Sequence, residues 1–469
     1  MNQRRRPFPS FRLPSVHSPA IALAASLVLV ALSGTPALAD WKAGVATQNI
    51  TPKHLMWMAG YGSRTMPAES KLTDLWAKAL VLEDPSGQRA VLVTLDLVGI
   101  GRELSSRICG TIQQKHNLDR RQIALCTSHT HCGPAVGRNL GPLHYLQVDE
   151  HQRALIDEYA DALHNQVVDV VDRAAKQLAP AQLSHGVGVS TFAVNRRENP
   201  ADQVPARRAA GTLKGPFDHD APVLAIRDAQ GKLKTVVFGY ACHATVLSFY
   251  QWCGDYPGFA QEELEKRHEG CVAMFWAGCG ADQNPLPRRE VELAKKYGGM
   301  LADSVDAVLK GDMRPVQPRL VTRYEEVTAP LAEPPSKAHW EELAKSNNRF
   351  EKARANMFLE QLEAGKTLPS TYPYPIQCWQ LGDVTWVILG GEVVVDYVLR
   401  LKQELKSLPS KVWVAGYSND VMAYIPSRRV LREGGYEGGG SMVYYGLPNV
   451  WAPEVENLIV ETAKKLAAR

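Results

Sequence analysis

Short apolar runs alternate with amphipathic stretches along the chain downstream of residue 40. Apolar runs bounded by turn residues predict strands, and apolar positions three and four residues apart predict helices. The predicted strands are 77–82, 90–96, 122–128, 183–194, 223–226, 235–241, 271–277, 385–389 and 412–415. The predicted helices are 101–116, 150–178, 259–268, 289–309 and 453–468. Strands that alternate with helices favour an α/β fold.

Two stretches interrupt this alternation. Residues 198–216 are rich in proline and charge, and residues 336–366 form a polar, helix-prone segment. Neither is long enough to be a domain of its own. We therefore predict one large mixed α/β domain over residues 40–469, although two lobes would also fit this length.

Residues 1–39 have the features of a secretory signal peptide. Three arginines (Arg4 to Arg6) precede an apolar run over 21–32, and Ala37, Leu38 and Ala39 form a small-residue cleavage site. Cleavage there predicts an exported protein, periplasmic or secreted, with no stable membrane anchor after signal removal. An uncleaved anchor is the alternative, and it also places the chain outside the cytoplasm.

The charge balance argues against a nucleic-acid partner. The chain has 53 basic and 49 acidic residues, a net charge of +4. Removal of the leader's four arginines leaves the two signs equal, and no long Lys/Arg run follows. The eight cysteines lie beyond the leader. An oxidising compartment would permit disulfides, but their pairing does not follow from the sequence.

Candidate metal ligands follow several predicted strands. His129 and His131 come directly after strand 122–128, His243 ends strand 235–241, and Glu392 follows strand 385–389 and two glycines. Residues two apart on a strand face the same way, so the first two imidazoles could share one ion. Taken one at a time, these residues have ordinary structural explanations: two loop histidines, a hydrogen-bonded core histidine, and a carboxylate at a helix N-terminus. Together they predict a site at the carboxyl ends of the strands, where three N/O ligands suit a hydrolytic zinc ion.

Three further residues occupy turns next to strands. Asp96 and Asp255 are expected either to orient a histidine or to cap a turn. Cys279 lies in a glycine-rich turn after strand 271–277, where a nucleophile or an oxyanion donor could sit. A buried or disulfide-bonded cysteine is the alternative, and we favour it, since the sequence shows no cause for a lowered thiol pKa.

A series of short motifs is similar to the N-terminal catalytic domain of the neutral (neutral/alkaline, non-lysosomal) ceramidases. The resemblance extends over most of the chain beyond the leader. The motifs, in chain order, are Ala43-Gly44-Val45-Ala46, Ile50-Thr51-Pro52, Met58-Ala59-Gly60-Tyr61-Gly62, Ser128-His129-Thr130-His131, Gly133-Pro134, Val194-Asn195-Arg196, His243, Gly254-Asp255, Gly258, Gly390-Gly391-Glu392, Ala423-Tyr424 and Tyr436-Glu437-Gly438-Gly439.

The resemblance implies the fold of that domain and a ligand set. It implies one zinc ion held by two histidines, a glutamate and a tyrosine, which fall on His129, His243, Glu392 and Tyr424. It also implies contacts to the substrate and the developing oxyanion from His131, Arg196 and Tyr436. Their chemistry suits this, because arginine is a permanent cation and the other two donate hydrogen bonds.

Two departures from the family pattern qualify the expected activity. The family's serine aligns with Gly278, so either Cys279 replaces it or a zinc-activated water needs no serine. The chain ends at Arg469, soon after the Tyr436 motif, so the family's C-terminal immunoglobulin-like domain is expected to be absent.

The sequence therefore predicts an exported zinc-dependent hydrolase of amide (N-acyl) bonds. Its substrate is expected to be a small-molecule or lipid-like acyl compound, with ceramide one candidate. Two alternatives stay open: a polar ester, peptide or sugar-derived substrate, or a non-catalytic homologue that binds zinc and ligand.

Overall fold

The structure, a computed structural model, describes residues 9–13 and 41–468. The signal peptide predicted for residues 1–39 lies outside the described residues, apart from 9–13, which form no helix or strand. Within the described ranges, no helix has both the length and the apolar character needed to cross a membrane.

Strands account for much of the described chain and are numbered in chain order. They are β1 (Trp41–Asn49), β2 (Ser70–Lys71), β3 (Trp76–Glu83), β4 (Arg89–Leu95), β5 (Ile123–Thr127), β6 (Ala179–Val189), β7 (Ala193–Asn195), β8 (Asp220–Asp228), β9 (Leu233–Tyr240), β10 (Gln251–Trp252), β11 (Val272–Ala277), β12 (Gln283–Pro285), β13 (Arg314–Pro315), β14 (Leu320–Pro330), β15 (Thr371–Leu381), β16 (Val384–Leu389), β17 (Glu392–Val393), β18 (Lys411–Ala415) and β19 (Tyr424–Ile425).

Helices separate these strands. They are α1 (Arg102–His116), α2 (Glu150–Lys176), α3 (Val204–Ala209), α4 (Asp255–Arg267), α5 (Val291–Lys310), α6 (Lys337–Leu343), α7 (Arg349–Glu363), α8 (Asp396–Glu404), α9 (Arg428–Glu433), α10 (Gly435–Gly438) and α11 (Val455–Ala468).

Two large mixed sheets form the framework. The first has the strand order β11-β9-β8-β6-β1-β3-β4-β5, with β13 also paired to β6. Its two outermost pairs, β9 with β11 and β4 with β5, are parallel, and the pairs between them are antiparallel. The second sheet has the order β14-β15-β16-β18, with only β16 and β18 parallel.

The two sheets pack face to face, and helices cover their outer faces. Strand β3 shows the principle: Ala77, Ala79 and Val81 belong to one apolar cluster with α1, α2, α4 and α5, whereas Leu80 and Leu82 belong to a second cluster. This second cluster contains side chains of both sheets and of no helix. A third joins the second sheet to α8 and α11. Strands with apolar side chains on both faces are typical of buried sheets. The layers of the molecule are therefore, in order, helices, first sheet, second sheet and helices.

Tryptophans fill the space between the sheets. Trp386 on β16 lies at the centre, with ring centroids 5.2 Å from Trp276 of the first sheet and 6.0 and 5.9 Å from Trp379 and Trp413 of the second. All four are buried. Large aromatic side chains bury much apolar area, so this cluster holds the sheets together.

The structure confirms the mixed α/β fold and each predicted strand and helix, with small shifts at the ends. The segment predicted as one strand over 183–194 is divided into β6 and β7. Strands β1, β14 and β15 were not predicted. Charged residues in β14 obscure its alternation, and β15 contains Pro373 and Pro375, which lie where β15 pairs with β14 alone.

Replacement of Trp386 tests the packing of the sheets. We expect Trp386→Ala to lower the free energy of unfolding by about 3–5 kcal/mol, because it leaves a large cavity between them. Urea denaturation of this variant and of Leu399→Ala, a partly exposed position on α8, would measure the difference. Equal losses in the two variants would contradict the central role of the tryptophan.

Candidate metal centre

The candidate site lies where strands of both sheets end. His129 and His131 follow β5, and His243 follows β9, all from the first sheet. Glu392 opens β17 just after β16 of the second sheet, and its register partner in the parallel strand β19 is Tyr424. The isolated bridges Cys126↔Ser418 and Gly278↔Ala415 join the two sheets beside the site. Residues distant in the sequence are therefore brought together as predicted.

His129 is held in an uncommon backbone conformation. Its φ of 60° lies in the left-handed region, which non-glycine residues seldom occupy. The Nδ1 atom lies 2.5 Å from the carbonyl oxygen of Val98. A carbonyl only accepts, so Nδ1 carries a proton, and in the neutral ring the free lone pair is on Nε2, which faces the site. Strain of this kind is often found at functional sites.

His243 is oriented in the same way. Its Nδ1 donates to the carbonyl oxygen of Gly280 at 2.8 Å, so its Nε2 is also unprotonated and faces the site. Hydrogen bonds from Nδ1 to main-chain carbonyls are a usual means of orienting metal-binding histidines.

Hydrogen-bond acceptors converge between these rings. The Oε2 atom of Glu392 lies 3.2 Å from Nε2 of His129 and 3.1 Å from Nε2 of His243. That oxygen is buried and accepts no hydrogen bond. A buried carboxylate oxygen without a hydrogen-bond partner is costly. A cation placed between these three atoms would supply that partner.

A tyrosine and a third histidine complete the cluster. The Tyr424 hydroxyl lies 3.2 Å from Nε2 of His243, and Nε2 of His131 lies 3.2 Å from Nε2 of His129. The nitrogen ligand atoms of the three histidines all lie within 4.8 Å of one another. Imidazole nitrogens with carboxylate and phenol oxygens fit a borderline cation such as zinc, and this buried group could hold a metal ion.

The protonation of these groups suits a metal. Burial and the charge of Arg196 lower the pKa of His243 to about 4. Burial, followed by His129 and His243, lowers the pKa of His131 well below its usual range. Burial raises the pKa of Glu392, but the contacts with His129 and His243 outweigh it and hold that pKa well below its usual range. The imidazoles of His131 and His243 are therefore neutral and the carboxylate of Glu392 is ionised.

Arg196 places a positive charge beside the cluster. Its Nη2 donates to the Tyr424 hydroxyl at 3.2 Å and its Nε donates to Glu437 at 2.6 Å. The guanidinium carbon lies 5.6 Å from the ring centroid of Tyr436, whose ring is partly exposed and packs 5.2 Å from that of Tyr424. Arg196 and Tyr436 are thus near the candidate ligands, as the resemblance implied.

His131 is packed against the segment that carries one of the family-like motifs. The ring of Tyr61 lies 4.7 Å away, centroid to centroid, and a Cβ atom on Gly60 would be 2.4 Å from the His131 ring. Gly60 also has a φ of 96°, which glycine adopts without strain. A glycine is therefore needed here to leave room for the imidazole.

Two residues near the site were missed by sequence reasoning. The Tyr445 hydroxyl donates to Oε1 of Glu392, and the Tyr417 ring packs 4.4 Å from that of His129. Both phenols come from loops, where no periodicity or motif distinguishes them from packing residues. They orient the candidate ligands rather than join them.

The structure does not bring Cys279 to the site. Its side chain is fully buried in the apolar cluster of the second sheet, and burial raises the pKa of its thiol well above the usual range. A buried thiol without a nearby base is inert. At Gly278, a Cβ atom would lie 3.1 Å from Ala241, so the turn packs tightly where the family's serine was expected. All eight cysteines are buried and unpaired.

Asp255 caps a turn rather than orienting a histidine. Its carboxylate accepts hydrogen bonds from the main-chain N–H groups of Val246, Leu247 and Tyr256. It thereby holds the loop that follows His243. Asp96 likewise accepts from the main-chain N–H of Trp76.

Two of the four candidate ligands, His243 and Tyr424, line a cavity of about 680 Å³. The lining includes His131, His243, Tyr424 and Tyr436, together with residues of the segments 196–201, 284–289 and 433–437. The segment 198–216, which interrupts the predicted alternation, thus contributes to the wall of the cavity.

Comparison with known proteins agrees with this geometry. Residues 41–282 match the family described as neutral/alkaline non-lysosomal ceramidase, N-terminal. The chain therefore belongs to this family. It is 26% identical over 263 residues to the neutral ceramidase of Drosophila pseudoobscura pseudoobscura, which covers 53% of this chain and 36% of that protein. It is 26% identical over 226 residues to neutral ceramidase B of Dictyostelium discoideum, covering 45% and 31%. The aligned part thus spans about a third of these relatives' lengths.

Solved structures share the fold. Neutral ceramidase from Pseudomonas aeruginosa superposes with a TM-score of 0.72 at 19% identity, covering 91% of this chain and 74% of that one. A ceramidase complexed with C2 gives a TM-score of 0.71 at 20% identity, covering 91% and 75%. The neutral-ceramidase-like fold predicted from the sequence is confirmed.

The glycine beside His131 provides a test of the site's packing. We expect Gly60→Ala to lower the free energy of unfolding by about 1–2 kcal/mol for its left-handed backbone and by about 1–3 kcal/mol more for the displaced imidazole. Gly87→Ala is the control, since Gly87 has a similar φ of 83° and no atom near the added Cβ. Urea denaturation of both variants measures the difference, and equal losses would contradict the tight contact with His131.

Proposed function

We propose that this protein is a zinc-dependent hydrolase that cleaves the N-acyl bond of an amide. The observation that carries the proposal is the buried, unpartnered Oε2 of Glu392, which lies 3.2 and 3.1 Å from the Nε2 atoms of His129 and His243. Membership of the ceramidase family supports amide cleavage, and the C2 complex of a related ceramidase supports a lipid-like substrate.

In this proposal His129, His243, Glu392 and Tyr424 hold one zinc ion. When bound, the ion polarises the amide carbonyl and lowers the pKa of a water molecule to near neutrality. Hydrolysis breaks the C–N bond, adds the water oxygen to the acyl carbon and returns a proton to the leaving nitrogen. No serine is required, which agrees with Gly278 at the aligned position.

The remaining residues of the cavity stabilise charge and move the proton. The neutral imidazole of His131 has one nitrogen that accepts a proton and one that donates, so it can carry the proton between water and the leaving nitrogen. The Tyr436 hydroxyl is placed to donate to the developing oxyanion. Arg196 holds the Tyr424 hydroxyl and adds a fixed positive charge near it.

Export belongs to the same proposal. It is supported by the basic start, the apolar run and the Ala37 to Ala39 site in the sequence.

Metal content tests the ligand assignment. We expect the purified full-length chain to contain about one zinc per molecule by elemental analysis, and His129→Ala, His243→Ala and Glu392→Ala to weaken zinc binding by more than about a hundredfold, because each removes a ligand. The control is His164→Ala, because His164 is partly exposed and only hydrogen-bonds to the Thr111 hydroxyl and the neighbouring Asn165. Stoichiometric zinc in all three ligand variants would refute the assignment.

Hydrolysis of a fluorogenic N-acyl sphingosine tests the reaction. We expect turnover by the full-length chain to be lost on chelation and restored by zinc. Tyr436→Phe should lower kcat by about 10²–10³ while zinc is retained, because it removes one oxyanion donor. Tyr444→Phe, whose ring lies 6.2 Å from that of Tyr436, is the control. Bound zinc with no hydrolysis of any acyl amide would instead favour a binding protein.

A further inference from the structure

Two consecutive arginines line the cavity without an acidic partner. Arg288 is half-buried and Arg289 is exposed, and both contribute to the lining. Neither forms an ion pair with any carboxylate of the described residues. Their polar contacts are neutral: Nη1 of Arg288 donates to the Thr245 hydroxyl at 3.3 Å, and Nη1 of Arg289 donates to the Tyr61 hydroxyl at 2.9 Å.

The other two arginines of the cavity are neutralised. Arg196 and Arg197 share the carboxylate of Glu437, at 2.6 and 2.7 Å, and Arg197 also pairs with Glu433 at 3.0 Å. The unpaired positive charge of the cavity is therefore concentrated at Arg288 and Arg289, and Glu198 is the one carboxylate of the described lining outside any ion pair. Burial, and after it the like charge of Arg289, lowers the pKa of Arg288.

Both arginines are held in place. The main-chain N–H of Arg289 donates to the carbonyl of Val246 at 2.7 Å, and its φ of 95° is in the left-handed region, where a non-glycine residue is strained. The nearby Asp255 does not neutralise them, because its oxygens are taken up by main-chain N–H groups. An anionic ligand would offset the like charges of these two guanidinium groups.

The pair lies in the same cavity as the candidate proton carrier. The guanidinium carbon of Arg289 is 5.0 Å from the Tyr61 ring centroid, and that ring packs on His131. One aromatic ring therefore separates the guanidinium from His131. A group bound by these arginines would share the cavity with the amide being cleaved.

We propose that the substrate carries an anionic group, a carboxylate or a phosphate, which Arg288 and Arg289 bind beside the scissile amide. This inference rests on the proposed function and specifies its substrate class: acidic N-acyl compounds, such as N-acyl amino acids, which the enzyme should cleave in preference to neutral amides such as ceramides. Guanidinium groups match the geometry of carboxylate and phosphate oxygens, and such bonds are among the strongest that side chains form.

The rest of the lining agrees with an acidic substrate. Among the described residues that line the cavity, the aliphatic side chains are those of Pro200, Ala201 and Leu286. The rings of Tyr61, Tyr424 and Tyr436 add further apolar surface. Two long hydrocarbon chains would have to cover the arginines as well and would remove them from water without compensation. A short or single acyl chain next to an anion avoids this cost.

Matched pairs of amides test the inference. N-decanoylglycine and N-decanoylglycinamide share the acyl group and the scissile bond and differ in charge, and N-decanoyl phosphoethanolamine and N-decanoylethanolamine form the phosphate pair. We expect the full-length zinc enzyme to show a KM about tenfold to a hundredfold lower for the charged member of one pair. The pair that shows the preference identifies the anion.

Arginine variants show whether these residues are responsible. Arg288→Gln and Arg289→Gln should each raise KM for the charged amide while kcat and the KM of the neutral amide stay nearly unchanged. Arg107→Gln, on the exposed face of α1, is the matched control. The inference is wrong if the wild-type enzyme cleaves neutral and charged members equally well, or if the glutamine variants keep the preference.

Binding separates this inference from the proposed reaction. Calorimetric titration with N-decanoylglycine and its amide needs no turnover, so it reports on the arginines even in a chain that hydrolyses nothing. We expect at least tenfold tighter binding of the acid, lost in Arg289→Gln, whose exposed position makes a folding defect easy to exclude by thermal melting. Equal affinity for acid and amide would overturn the inference whatever the outcome of the hydrolysis assay.

Discussion

Buried hydrogen-bond acceptors that face one another without a donor are the constraint on which the site depends. The carboxylate of Glu392 lies against the Nε2 atoms of two imidazoles whose Nδ1 atoms donate to main-chain carbonyls. In water its Oε2 atom would be solvated, and in the protein interior it carries the cost of an unmet hydrogen bond. The surrounding fold must supply enough packing energy to hold them there until a cation binds.

The precision of this arrangement comes from the main chain. The main-chain carbonyls of Val98 and Gly280 accept hydrogen bonds from Nδ1 of His129 and His243, which fixes a proton on that nitrogen of each ring. The loop after His243 is tied down by Asp255, and the ring of His131 is confined by the absence of a side chain at Gly60. The candidate ligands are thus oriented by rigid backbone rather than by long flexible side chains, which reduces the entropy lost when an ion is bound.

The sequence predicted the fold class and three of the four candidate ligands for physical reasons. Apolar runs that end in His129, His243 and Glu392 reveal strand ends, and the carboxyl ends of strands are where α/β folds assemble sites. Tyr424 was reached only through the family resemblance, because a phenol usually packs or caps. The carbonyls that orient the histidines could not be found, since every residue has one.

The hydrophobic periodicity also could not predict that the strands form two separate sheets. Alternation reveals that a strand is buried on both faces, but it does not reveal which sheet the strand joins. That choice depends on pairings between distant segments, such as β15 with β14, where proline and charge mask the pattern. Arg288 and Arg289 were likewise missed, because exposed arginines normally have no function beyond solubility and only the cavity gives these two a role.

The division of the ligands between the sheets has a thermodynamic consequence. His129 and His243 follow strands of the first sheet, and Glu392 and Tyr424 lie just beyond strands of the second, so an ion bound by all four would connect the two sheets at their edge. Its binding free energy would be shared with the docking of those sheets. The ion would then act as a long-range cross-link, much as a disulfide does in other folds, in a protein whose eight cysteines form none.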